Sequence, residues 1–336
     1  MNKLNTIAIS IIVFGALVFF HELGHFLVAK LCDIKVNEFS LGFGPILVSL
    51  KKGETLYSIR ALPLGGYVKM EGEDEKTGDP RAFSNKPVGA RMAVVISGPM
   101  MNLLMAVILI SLIGFFSGVA TTKVTVIPNS PAELAGIKDG DIIAAIDDKK
   151  ISSWDETVSI ISQKPNQTLE IEILRNGEKK EILVKTEQEP ETGRGVIGIK
   201  SVVIRYSPLH SLKTGIQKTL WASSMILSSI PRLLTGRGLS DLVGPLGIAH
   251  MVGEAARVGI FNVLYLTAFI SINLGLLNLL PVPALDGSRL VFLFVEFLRG
   301  KPIDPEKEGM IHFLGFALLM LLMVFVLYRD FMRLYM

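Results

Sequence analysis

Residues 7–31, IAISIIVFGALVFFHELGHFLVAKL, set His21, Glu22 and His25 inside an otherwise apolar stretch long enough to cross a bilayer. On a helix, positions i and i+4 share a face, so the two imidazoles can hold one metal ion. Glu22 stands beside that face, placed to take a proton from a water that the metal activates. Ionisable side chains in a span are costly and normally functional, which favours this reading over a hydrogen-bonded polar cluster. The apolar run 7–20 could pass for a secretory signal, but it lacks a small-residue cleavage site and resumes at Phe26, Leu27 and Val28. It is read as a retained span.

Elsewhere in the chain, residues 92–120, 260–280 and 310–327 carry no charged side chain, although the last holds His312. Together with 7–31 they make four expected spans. Half of the 336 residues are hydrophobic and 19% are charged, and the net charge of +3 gives no reason to expect a nucleic-acid partner. The single cysteine, Cys32, excludes an internal disulfide and a metal site built from several thiolates.

A catalytic zinc site usually takes three protein ligands. The remaining histidines, His210, His250 and His312, lack a supporting motif and read as surface or packing residues. Asp286 is the better third ligand. It lies in NLLPVPALDG, residues 278–287, where Pro281 and Pro283 interrupt helical pairing and Gly287 permits an unusual turn. Irregular backbone at membrane depth is tolerated where it lines a cavity. The alternative is that Asp286 merely caps a helix. Asn102 and Asn278, in or beside spans, could donate to a developing oxyanion or orient a ligand, or could be interhelical glue.

Lys30 to Arg91 contains ten basic and eight acidic residues, and Arg289, Arg299, Lys301 and Lys307 lie between the third and fourth expected spans. Positive charge favours the cytoplasmic side, so both short loops are expected inside and both termini outside, with Arg329 and Arg333 weighing the other way. The inner loop, 32–91, is glycine-rich with alternating segments at 55–61 and 67–70, and predicts a small β-structure against the membrane. Residues 122–202 read as a soluble domain with strands at 123–127, 142–146, 169–174 and 180–185 and a short helix at 155–163. Residues 203–257 read as connecting helices. Among them 208–236 is amphipathic, with Leu209, Leu212, Ile216 and Leu220 at helical spacing, either on a membrane surface or packed on a neighbouring domain.

HELGHF near the end of a first span, with NLLPVPALDG at the end of a later one, resembles the site-2 protease family of intramembrane zinc proteases, in particular its bacterial regulator-of-sigma-E protease (RseP-like) type. The likeness includes the segments 42–45 (GFGP), 65–70 (GGYVKM), 98–102 (GPMMN) and 244–248 (GPLGI). It implies one Zn2+ per chain on His21, His25 and Asp286, with Glu22 as catalytic base. It implies a cleft facing the cytoplasm and an extracytoplasmic PDZ domain between the second and third spans. Family members often have a second glycine after Asp-Gly, where this chain has Ser288.

Residues 130–137 (SPAELAGI) followed by 139–143 (DGDII) resemble the core of bacterial PDZ domains. Such domains bind chain ends on an open sheet edge. Gly195, Val196, Ile197 and Gly198 are the candidate carboxylate loop, or else a plain final strand. A protease must hold its substrate extended, and Gly65, Gly66, Tyr67 and Val68 are candidates for the strand that does so, or else a turn supporting the fold.

The expected architecture is an α-helical polytopic membrane protein of four spans with a membrane-associated β-element and an inserted PDZ-like domain. Residues 1–121 and 258–336 form the protease core, 122–202 the PDZ-like domain and 203–257 the connection. The expected activity is regulated intramembrane proteolysis in the cell membrane. The substrates implied are single-pass proteins, such as anti-sigma factors trimmed by an upstream site-1-type protease, or remnant signal peptides. Two other classes stay open: a non-proteolytic PDZ scaffold with a structural metal site, and a metal-handling transporter. Intact Glu22 weighs against the first, since a structural zinc site has no use for a base.

Overall fold

The structure is a computed structural model and describes residues 3–73, 77–190, 192–205, 207–234 and 243–335. The chain divides into two compact units, residues 1–113 with 211–336, and residues 114–210.

The first unit opens with helix α1 (Lys3–Leu31), followed by strands β1 (Val36–Lys52) and β2 (Thr55–Met70). The segments 55–61 and 67–70 belong to a single 16-residue strand. The pair bends on itself at Gly42, Gly44 and Gly65, whose φ values of 88°, 85° and 85° suit glycine. Phe39 of β1 therefore faces Tyr57 on one side and Val68 on the other. No strand pairs with the far side of residues 66–70 among the described residues. Phe39, Val68 and Met70 are buried with Ala29 of α1 and with Val94 and Val95. The outer end of the hairpin is different: Phe43, Ile46, Leu47, Val48, Leu50 and Leu62 are all exposed. A patch of that extent is unlike the surface of a soluble monomer and suits contact with lipid. Arg60 is held at the bend by Glu38 Oε1 (2.7 Å), the Gly44 carbonyl (2.7 Å) and the ring of Tyr67 (5.4 Å). Helix α2 (Val88–Phe116) crosses α1 where glycines permit it. A Cβ on Gly24 would overlap the Ser97 carbonyl, and one on Gly98 would overlap the His25 ring.

The second unit begins before residue 122. Strand β3 (Val119–Val126) takes in residues that hydropathy alone would leave in the second span. Then follow α3 (Pro131–Leu134), β4 (Ile142–Ile146), β5 (Lys149–Lys150), α4 (Trp154–Ser162), β6 (Thr168–Arg175), β7 (Glu178–Lys185), β8 (Glu187–Gln188), β9 (Gly195–Val196) and β10 (Ile199–Ile204). The main sheet runs β10-β3-β4-β6-β7, so β10 is an edge strand, and β8 pairs with β9. Asn176 (φ 54°) and Gly177 (φ 87°) form the two-residue β6–β7 turn, the left-handed pairing such hairpins require. Ser130 and Ser153 cap α3 and α4 through their hydroxyls. Alternate residues of β6, Leu169, Ile171 and Ile173, fill the core with Ile143 and Ile146 of β4, whose register shifts between Ile143 and Ala145. Asp141 is 2% exposed and receives both Nε and Nη2 of Arg175 at 2.8 Å and the Lys138 N–H at 2.8 Å. That explains the acid in the 139–143 segment: it ties the turn before β4 to the end of β6.

Helix α5 (Pro208–Leu234) returns the chain to the first unit. Residues 235 and 236 of the expected 208–236 helix lie outside the described residues. The face that packs is not the Leu209–Leu212–Ile216–Leu220 stripe, which is exposed. It is the small-residue face, where Gly215 meets Val107 and Ser111 of α2, and Ala222 and Ile226 join Ala106. Helix α6 (Pro245–Val258) starts where Asp330, 3% exposed, accepts the N–H groups of Gly244 (3.1 Å) and Gly247 (2.8 Å). Its carboxylate satisfies donors left unpaired at a helix start, and the glycines let it approach.

The chain continues with α7 (Ile260–Asn278), α8 (Asp286–Arg299) and α9 (Pro305–Tyr335). Helix α8 was not foreseen. Its amphipathic pattern is short and follows a segment with two prolines. Among the described residues, α1, α2, α7 and α9 are long and apolar enough to cross a membrane. The chain is thus a helical polytopic membrane protein with a β-hairpin element and an inserted β-domain.

Candidate metal centre

The helical period brings His21 and His25 to one face of α1, and the irregular segment 279–285 delivers Asp286 to the same place from 261 residues further along the chain. His21 Nε2 and His25 Nε2 are 3.2 Å apart, and Asp286 Oδ2 lies 3.2 Å from the first and 3.5 Å from the second. Two donors bound at about 2.0–2.2 Å to a tetrahedral zinc are about 3.3–3.5 Å apart. The three atoms lie close to that spacing, and this is the sole such cluster of histidine, cysteine and carboxylate groups among the described residues. Asp286 Oδ2 is buried without a hydrogen-bond partner, an arrangement that costs free energy unless a cation takes it up. The donor set fits zinc.

The second nitrogen of each ring is engaged. His25 Nδ1 donates to the Val94 carbonyl at 2.8 Å, which leaves Nε2 with its lone pair for a metal. His21 Nδ1 faces the Asn102 side-chain amide at 3.2 Å, and Asn102 is wholly buried. A metal on His21 Nε2 puts the ring hydrogen on Nδ1, which then needs an acceptor. A half-turn of the amide supplies one: Asn102 Oδ1 is otherwise buried without a partner. The backbone carbonyl of Asn102 accepts from Ser271 of α7 at 2.8 Å, so this residue links three helices.

Asn278 ends α7 and is half-buried, and its side chain makes no hydrogen bond among the described residues. The two asparagines, equivalent in sequence, are thus separated by their surroundings. Glu22 lies between the two histidines on α1, and its carboxylate also accepts no hydrogen bond among the described residues. It faces β2: a Cβ on Gly66 would come within 2.9 Å of Glu22 Cγ and of Val18 Cγ1. Tyr67 stacks on Phe43 with centroids 6.1 Å apart, and Val68 points into the core. Gly65 is the bend itself. Gly195 and Val196 pair with β8, while the carbonyls of Ile197 and Gly198 accept from Ala132 and Ile127. This segment leads into edge strand β10.

Around the centre, Arg289, one turn beyond Asp286, is paired with Glu73, and Arg91 of α2 is bidentate to Glu296 of α8 at 3.1 and 2.5 Å. These pairs fix α8 to the hairpin's exit and to α2. Sequence reading missed them because their partners are 216 and 205 residues apart. Of the histidines set aside, His250 faces Glu254 on its own helix at 3.4 Å. His312 does not behave as a lone packing residue, because it reaches the segment before Asp286.

The model of peptidase family M50 matches residues 9–322. The zinc metalloprotease RasP of Geobacillus kaustophilus is 35% identical, with 98% of each chain covered. The regulator of sigma-W protease RasP of Bacillus subtilis is 34% identical over 98% of this chain and 99% of that one. Among solved structures, the PDZ domain of an SdrC-like protein from Listeria monocytogenes matches 26% of this chain and 90% of its own at 25% identity, with a TM-score of 0.22.

Proposed function

The chain belongs to peptidase family M50 and is a zinc metalloprotease of the membrane; on that premise we propose that it cuts single-pass membrane proteins within or beside the bilayer, using His21, His25 and Asp286 to hold one zinc ion and Glu22 as its base. The observation that carries this reading is the spacing of three donors, 3.2, 3.2 and 3.5 Å, with the Glu22 side chain of the same helix beside them. Zinc bound there would supply Lewis acidity toward the scissile carbonyl and lower the pKa of a water.

The rest is the work of the chain. Glu22, with no donor on its carboxylate among the described residues, can accept the water's proton and return it to the leaving amine. Asn102 keeps His21 in the tautomer that offers Nε2 outward. Asn278, whose amide is unengaged among the described residues, is a donor for a developing oxyanion. Gly65–Val68 forms an edge beside Glu22, and a substrate added there as a strand exposes its carbonyls, which a helix would hide. The absence of a side chain at Gly66 lets this edge close on α1 beside Glu22.

The β-domain is read as PDZ-like on its 130–143 motif and on edge strand β10, where a chain end could add with its carboxylate at Gly195–Gly198. Positive charge in the loops at 30–91 and 289–307 supports a metal centre toward the cytoplasm and a β-domain outside. One relative's name makes it a regulator of sigma-W, which fits anti-sigma factors, first cut by another protease, as substrates here. The test is co-expression with candidate single-pass proteins: the wild type should yield a shorter fragment and Glu22→Gln should not. A scaffold with a structural metal would leave the candidates uncut in both.

A further inference from the structure

Ala284 stands two residues before Asp286 with φ at 73°, a left-handed conformation that an alanine adopts only when held there. What holds it comes from another helix. The Ala284 N–H donates to Nδ1 of His312, on α9, at 3.2 Å. One turn further along α9, Gly315 is buried against Pro283, and a Cβ there would overlap the proline ring. The His312 ring also lies against Phe292 of α8, with centroids 5.6 Å apart. Most of α9 is exposed, so His312 and Gly315 mark the place where this helix meets the segment carrying Asp286.

The chemistry fixes the tautomer. Because Nδ1 accepts, a neutral His312 carries its hydrogen on Nε2, which is buried and has no hydrogen-bond partner, with Glu308 Oε1 one turn back at 3.7 Å. No side chain other than His312 takes the Ala284 N–H among the described residues. An unpaired N–H, added to left-handed strain, would favour a different course for residues 281–285. Asp286 begins α8 directly after that course, so its carboxylate would move relative to the two histidines.

We propose that His312 is a positioning residue: by accepting the Ala284 N–H it fixes the turn that places Asp286 at the zinc site. The proposal rests on the reading of Asp286 as a ligand. It assigns work to a histidine that neither ligates the metal nor belongs to a recognised motif. The role needs an acceptor at the position of Nδ1, not an imidazole as such. Asparagine puts its Oδ1 near that point, whereas phenylalanine keeps the ring volume and removes the acceptor.

The test is zinc affinity of the full-length chain in detergent, measured by competition with a chromophoric chelator. His312→Phe should weaken zinc binding about tenfold or more, as loss of outer-shell support does elsewhere. His312→Asn should stay within about threefold of wild type. Ala284→Gly, which adopts the turn without strain, should restore much of the loss when added to His312→Phe. Wild-type affinity in His312→Phe, or equal losses in His312→Phe and His312→Asn, would overturn the proposal. If His312→Phe fails to accumulate, the double variant decides: recovered zinc binding supports the role, and none rejects it. Asp286→Ala is run alongside. If it binds zinc as the wild type does, the ligand assignment itself is wrong, whatever His312 does.

Discussion

Gly66 of β2 stands against Glu22 of α1, so close that a Cβ on the glycine would come within 2.9 Å of the Glu22 Cγ. The edge of the hairpin and the proposed base are therefore set by one contact. Gly66→Ala should push the strand and the carboxylate apart and lower kcat/KM at least tenfold, about 1.4 kcal/mol in the barrier. Zinc content should stay at the wild-type level. Loss of zinc in step with activity would show that Gly66 supports the helix and does not set the spacing of strand and base.

Asn102 is placed to hold His21 in one tautomer. Asn102→Ala removes the acceptor and should weaken zinc binding by about 10–100-fold. Asn102→Asp keeps an oxygen facing Nδ1 and should bind zinc nearly as the wild type does. Equal affinity in Asn102→Ala and wild type would reduce Asn102 to a packing residue between α1, α2 and α7.

How much of this was legible in the sequence depends on range. His21, Glu22 and His25 declare themselves through a spacing of four in an apolar helix, and Asp286 through two prolines that break a span. Strands β3, β4, β6 and β7 of the β-domain were legible because alternation and Asn176-Gly177 are local signals. The bend of β1 and β2 was not, since Phe39 pairs with both Tyr57 and Val68, and nothing near Phe39 says so. Gly24 and Gly98 could be seen as glycines, but their reason, the closeness of two helices, exists only once α1 and α2 are packed. His312 was dismissed for want of a motif, although an ionisable side chain in an uncharged span was the available signal.

The Asp141–Arg175 pair predicts an acid dependence for the β-domain. Burial raises the Asp141 carboxyl, but the Arg175 guanidinium and the Lys138 N–H outweigh it and hold the group below its ordinary value. The pair's stabilisation is then present above about pH 3.9 and lost as the pH falls through the lower folded value. Trp154, packed on the domain core, reports unfolding once the other tryptophan is removed by Trp221→Phe. In that background Asp141→Ala should cost about 3 kcal/mol at neutral pH and flatten the acid limb. An unchanged denaturation midpoint would show that the pair is not what holds the turn.

Sidedness can be read with single cysteines in a Cys32→Ser background. Asn176 and Lys301 are both exposed, one on the β6–β7 turn and the other between α8 and α9. In intact cells a membrane-impermeant thiol reagent should label Asn176→Cys and spare Lys301→Cys until the cells are opened. The reverse pattern would turn the protein over in the membrane.

Metal analysis of the purified full-length chain, with wild type, Glu22→Gln and Asp286→Ala compared side by side, decides whether His21, His25 and Asp286 hold a zinc ion. Three donors 3.2–3.5 Å apart predict close to one zinc per chain in the wild type. Glu22→Gln should keep that zinc while losing cleavage, since it removes a base and no ligand. Asp286→Ala should lose most of its zinc. A full equivalent of zinc in Asp286→Ala would contradict the account, because the carboxylate carried to the two histidines from 261 residues away would then have no part in holding the metal.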